Sequence, residues 1–159
     1  MAIQITSEAF EANHAIPRKY ARAGGDISPP LAWQGVPDDA RQLAVVVDDP
    51  DAPSDEPWVH WVIYNIPPDT DQLPAGVSRE QEPPQPSHTA QGRNSWGQIG
   101  YGGPQPPKGD PPHHYHFRLY ALDVDPALPP GMSKDDLMNA ASGHIRDEGE
   151  LIGTYQAQA

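Results

Sequence analysis

"LAVVVDDPDAPSDEPWVHWVIYNIP" (43–67) begins and ends with short apolar, β-branched runs and packs acids and prolines between them. "LAVVVDD" (43–49) has the length and composition of a buried strand. "HWVIYNIP" (60–67) reads the same way and stops at Pro67-Pro68. Further out, "HYHFRLYAL" (114–122) predicts a third strand, "IQIT" (3–6) a first one and "LIGTYQ" (151–156) a last one. A helix is expected after Ser133, a suitable N-cap. Asp135 and Asp136 complement its dipole, and Leu137, Ala141, His144 and Ile145 share one face. Many short strands with a late helix predict a mainly β antiparallel sandwich or barrel.

The 159 residues suit one domain, taken as 1–159. The 21 prolines and 14 glycines show no repeat period, which argues for ordered loops around a sheet rather than disorder. The stretch from Glu82 to Pro112 is long for a loop, and loops of that length usually carry function. A net charge of −12 disfavours nucleic acid and anionic bilayers as partners. The absence of cysteine excludes disulfides, thiolate metal sites and cysteine nucleophiles. "MAIQITSEAF" lacks the features of a secretory signal, and no apolar run reaches membrane-spanning length, so a cytoplasmic location is expected.

Strand alternation selects the candidate site. Leu43, Val45, Val47 and Asp49 share one face of their strand. His60 shares one with Val62, Tyr64 and Ile66, and His113 with Tyr115, Phe117 and Leu119. Asp49, His60, His113 and Tyr115 thus stand at strand ends that could converge on one rim. Each has a plainer reading: Asp49 before Pro50 suits an Asx turn, a lone His60 suits a structural role, and His113, His114 and His116 suit a surface. Asp48, Asp51, Asp55 and Glu56 are assigned to the turn and its solvated rim. Pro57 suggests a cis Glu56–Pro57 bond.

Three chemistries fit these residues. The H-x-H step in "HHYH" (113–116) resembles cupin-like metal sites, but no glutamate follows a few residues later, so no metal or other cofactor is expected. A hydrolase or lyase could use the Asp/His pair, yet Ser54, Ser87 and Ser95 lack a nucleophile elbow and nothing selects a carboxylate pair. An anion pocket is the third. "GYGGPQPPKG" (100–109) offers glycine amides, His60 and His113 offer donors, and Tyr115 a hydroxyl. Asp49 opposes an anion by ~4 kcal/mol at ~4 Å and an effective dielectric of about 20. The arrangement works if Asp49 holds a histidine proton or is itself protonated, and binding should then strengthen as pH falls.

"DPDAPS" (49–54), "WVHW" (58–61) and "GYGGPQPPKGDPPHHYHF" (100–117), with "ISPPLAW" (27–33) and "ELIGTY" (150–155), resemble the phosphatidylethanolamine-binding protein family. The chain looks like its bacterial and archaeal, Raf-kinase-inhibitor-like branch. The resemblance implies a Greek-key fold in which a smaller sheet packs on a large antiparallel one. It also implies a pocket for phosphate-like anions, including phosphorylated small molecules and lipid head groups. Matching ligand-binding positions are Asp49, Pro53, Trp58, His60, Gly103, Pro106, Pro107, His113 and Tyr115. A binding rather than catalytic role, a kinase or protease target and a homodimer are implied as well. His114 stands where many relatives have arginine. The chain ends soon after Tyr155, without the C-terminal helix that covers the pocket in eukaryotic members.

Overall fold

The computed structural model describes residues 3–157. Eight strands form two antiparallel sheets. Strands β1 (Gln4–Thr6), β2 (Leu31–Gln34) and β5 (Gln72–Leu73) make the small sheet in the order β1-β2-β5. The large sheet runs β6-β4-β3-β7-β8 and comprises β3 (Gln42–Asp49), β4 (Trp58–Ile66), β6 (Ala90–Gln91), β7 (His113–Leu122) and β8 (Ile145–Tyr155). After β4 the chain crosses to the small sheet for β5. It then returns as β6 beside β4 and as β7 beside β3, the Greek-key return expected from the sequence.

The hydrophobic run of β3 follows from burial on both sides of the sheet: every residue from Gln42 to Asp49 is buried. Leu43, Val45 and Val47 face the small sheet, in one cluster with Ile5, Leu31, Trp33 and Leu73. Ala44 and Val46 face the other way, in a cluster with Leu137 and Ala141 of helix α1 (Lys134–Ala141). Each such aliphatic side chain contributes about 1.5–3 kcal/mol through burial.

Helix α1 starts as the sequence predicts. Ser133 Oγ accepts from the Asp136 N–H at 3.1 Å, and Asp136 Oδ2 accepts from the Ser133 N–H at 3.3 Å. It stops earlier than predicted. Gly143 adopts φ +79°, a left-handed conformation that ends a helix, so His144 and Ile145 are not on its apolar face. Ile145 instead opens β8 and is exposed.

The long Gly/Pro-rich stretch is tied down by buried side chains rather than by regular structure. Gln91 accepts from Trp61 Nε1 at 2.7 Å and donates to the carbonyls of Ser78 and Glu80 at 2.7 and 2.8 Å. Asn94 donates to the Gly100 carbonyl at 3.0 Å. The Glu56–Pro57 bond is trans, contrary to expectation, whereas Gln85–Pro86 is cis. The exposed Asp55–Pro57 turn contains nothing that selects the rarer isomer.

Candidate functional site

The ends of β3, β4 and β7 enclose a cleft of about 250 Å³. Of the sequence-selected residues, Asp49, Pro53, Trp58, His60, Pro106, Pro107, His113 and Tyr115 line it. Gly103 does not. Its N–H donates to Asp26 Oδ1 at 2.8 Å, and a Cβ there would lie 2.2 Å from the Tyr20 carbonyl oxygen, so this glycine serves a close backbone approach.

His60 reaches the cleft through a break in alternation. Val46 pairs with Val62 and Val47 with Trp61, but Asp48 pairs with Val59, leaving His60 as an extra residue. Strict alternation from Val62 would aim His60 at the helix side of the sheet, away from Asp49. The bulge turns it to the opposite face, where its ring packs edge-on against Tyr115 at 5.1 Å. The sequence-based grouping of His60 with Val62, Tyr64 and Ile66 is corrected accordingly. A second irregularity between Leu43 and Val45 also moves Ile66 to the small-sheet side.

Asp49 and His113 form the anchor. His113 Nδ1 donates to Asp49 Oδ2 at 2.7 Å, while Asp49 Oδ1 accepts from the Asp51 N–H at 2.8 Å. Asp49 is therefore both the Asx-turn residue and the histidine partner that the sequence allowed. The other ring nitrogen, Nε2, lies 3.0 Å from Asp110 Oδ2. Carboxylates on both nitrogens favour the doubly protonated, charged ring, in which both nitrogens donate. Burial opposes that charge, but the hydrogen bonds from Asp49 and Asp110 outweigh it and raise the His113 pKa.

His60 is in the opposite state. Burial lowers its pKa, and the Gly102 carbonyl, 2.7 Å from Nδ1, fixes the proton there. A neutral His60 thus turns an Nε2 lone pair outward. Beside it, the Tyr115 hydroxyl is buried; no partner meets ordinary hydrogen-bond distance and angle, but the Asp49 carboxylate is close enough to act on it as a weak acceptor. Burial, reinforced by the nearby Asp49 charge, pushes its ionisation far up, so it is a phenol that can donate.

The glycine amides of 100–103 are not free for an anion. Those of Gly100, Gly102 and Gly103 donate to Gly92 O, His60 O and Asp26 Oδ1. Within the loop, Gln105, Pro106 and Pro107 line the cleft, while these three amides are bonded inside the fold. Asp48 departs from its assignment to the solvated rim: it is buried on the other face of β3, bound by Arg118 at 2.8 and 2.9 Å and Lys134 at 2.8 Å. Among the described residues no group of three or more His, Cys, Asp or Glu could hold a metal ion.

Two participants escaped the sequence reading. Trp96 lines the cleft, stacks edge-on against Trp58 at 5.5 Å and His60 at 5.1 Å, and carries the Arg22 guanidinium 4.2 Å over its ring. A tryptophan inside a Gly/Pro-rich loop is its only local signal. Asp110, within "KGDPP" (108–112), carries no local signal of its contact with His113.

Comparison with known proteins agrees with this architecture. The model of the phosphatidylethanolamine-binding protein family matches residues 6–156. A UPF0098 protein of Pyrococcus horikoshii is 46% identical over 98% of this chain and 77% of its own length. The crystal structure of a phosphatidylethanolamine-binding protein homologue from Chlamydia trachomatis superposes with a TM-score of 0.87 at 40% identity, covering 99% of both chains. That of Escherichia coli YbcL does so with a TM-score of 0.92 at 32% identity, covering 99% of this chain and 100% of the other. Fold, family model and relatives at such identity and coverage coincide: this chain belongs to the phosphatidylethanolamine-binding protein family.

Proposed function

We propose that the cleft binds a phosphoryl-type anion without transforming it, as phosphate, a phosphorylated small molecule or a phosphorylated lipid head group. The observation that carries this reading is the buried Tyr115 hydroxyl, which has no well-formed hydrogen bond and only a weak contact with Asp49, in a cleft also lined by His60. A buried hydroxyl without a well-formed hydrogen bond costs up to about 3 kcal/mol, which a ligand oxygen recovers. The neutral His60 accepts the proton of a protonated phosphoryl oxygen or takes up one from solvent. Either route strengthens binding as pH falls.

His113 has no ring N–H to spare, because Asp49 and Asp110 take both. An anion that also engages His113 must replace Asp110 at Nε2. Asp110 is part-exposed on a turn, with the flexible Gly109 (φ +92°) before it. After the exchange, the Asp49–His113 pair is neutral and Asp49 no longer repels the ligand. The cleft sets aromatic walls beside hydrogen-bonding side chains, and the hydroxyl of its one serine, Ser54, donates to the Glu56 carbonyl rather than to a base. That composition supports a binding role over hydrolysis or lyase chemistry. An inhibitor-type action on a kinase or protease, from the cytoplasm and as a dimer, extends this reading by family resemblance.

Titration calorimetry with inorganic phosphate, phosphoethanolamine and a nucleoside monophosphate, at several pH values, tests the reading on wild type and His113→Ala. Saturable heat that grows toward acid pH and falls in the variant is expected. No heat from wild type, or equal heat from the variant, overturns it, and turnover of any probe overturns the non-catalytic part.

A further inference from the structure

Beside the cleft, across the ridge formed by Gln105 and Pro106, lies a groove of about 500 Å³. Its lining includes Arg18, Pro104, Lys108 and Tyr155 and, among the described residues, no carboxylate. Three other surface hollows each carry at least one acid: Glu82 in one, Glu8 in another, Glu56 and Asp135 in the third. A cation-lined hollow is unexpected on a chain with 22 acids and 10 lysines and arginines.

Ion pairing sharpens the contrast. Arg41, Arg79, Arg118, Lys134 and Arg146 are each paired with carboxylates. Arg18, Lys19, Arg22, Arg93 and Lys108 have no carboxylate partner among the described residues. Of these, Arg18 and Lys108 line the groove. Arg22 stands at the junction: its N–H donates to the Pro104 carbonyl at 3.1 Å and its guanidinium covers Trp96 of the cleft wall. Arg18 is held in place by its 3.1 Å bond to the Ala23 carbonyl. On a strongly acidic surface, cations that line one groove without a carboxylate partner among the described residues create a local positive potential that an anion would complete.

We infer that the groove is a second anion subsite, and that the ligand class is a molecule carrying two phosphoryl groups, one in the cleft and one between Arg18 and Lys108. This rests on the phosphoryl reading of the cleft. Cleft and groove share Gln105 and Pro106 as walls, so one elongated ligand can span both. The exposed cations are suited to a flexible, hydrated phosphate end, and the aromatic cleft to the end that is desolvated.

The test is calorimetry at low ionic strength with inorganic phosphate, hexyl phosphate and a series of linear alkanediol bisphosphates. Proteins are wild type, Lys108→Gln and the double variant Arg18→Gln/Lys108→Gln, with circular dichroism as the folding control. For wild type, the best bisphosphate should bind about fivefold or more tightly than hexyl phosphate, the gain expected of two solvent-exposed charge contacts. The single variant should shrink that gap and the double variant erase it, while inorganic phosphate affinity changes by less than about twofold. Phosphate binding without a bisphosphate advantage, or an advantage that survives in the folded double variant, overturns the subsite alone. No binding of any probe by wild type overturns the cleft reading and the subsite with it.

Discussion

Asp49 Oδ2 and His113 Nδ1 stand 2.7 Å apart, both buried, although 64 residues separate them in the chain. With Asp110 on the opposite ring nitrogen, His113 lies between two carboxylates that favour its charged form. Its protonation is therefore tied to folding. The folded-state pKa lies above the ordinary histidine value, because the two carboxylates outweigh burial. The resulting stabilisation is fully present below about pH 6.5 and is lost as pH rises through the raised value. Wild-type denaturation midpoints should thus fall from about pH 6 upward. Asp49→Asn should flatten that window and cost about 1.5–3 kcal/mol at its acid end, read from urea titrations at fixed pH.

Tyr115→Phe separates binding from stability. Its hydroxyl has no well-formed hydrogen bond to lose and only a weak contact with Asp49, so removing it should change stability by less than about 0.5 kcal/mol. Phosphate affinity should nevertheless drop about fivefold or more, as for one lost hydrogen bond. A stability loss comparable to that of a buried tyrosine with a satisfied hydroxyl would mean that the group is already bonded within the fold.

Asp110→Asn removes the internal carboxylate competing for His113 Nε2. Phosphate should bind about threefold to tenfold more tightly, since a displaced, part-exposed charge contact of about 1 kcal/mol no longer opposes it. The wild-type pH dependence of stability should weaken as well, because one of the two groups raising the His113 pKa is gone. Calorimetry and urea titration on the same variant check both. Weaker phosphate binding would show that Asp110 supports the ligand instead of competing with it.

Arg118→Ala should be strongly destabilising, by about 3 kcal/mol, because it leaves the buried Asp48 carboxylate with Lys134 alone. In thermal melts that is roughly 6–12 °C at this chain length. Replacing Asp48 and Arg118 together by residues of similar size should cost less than the sum of the two single changes, and a double-mutant cycle reads the difference.

The sequence by itself determined the elements and one side of the site. β-branched runs of strand length, proline and glycine punctuation and the capping pattern at Ser133 are local signals. They located β3, β4, β7 and α1 to within a few residues. Alternation along β3 and β7 was enough to put Asp49, His113 and Tyr115 together, because those strands keep their register at that end. His60 was selected for the right cleft by the wrong face, since a bulge is invisible to a period-two reading and arises from how β4 pairs with β3. Only the tertiary structure decided which polar groups are spent. The glycine amides look available in sequence and are used up within the fold. The second nitrogen of His113 is taken by Asp110, and Asp48 is turned away from the cleft to bind Arg118 and Lys134. Hydrogen bonds and ion pairs between residues far apart in the chain leave no periodic trace, so the groups left over for a ligand can be counted only once the chain has folded.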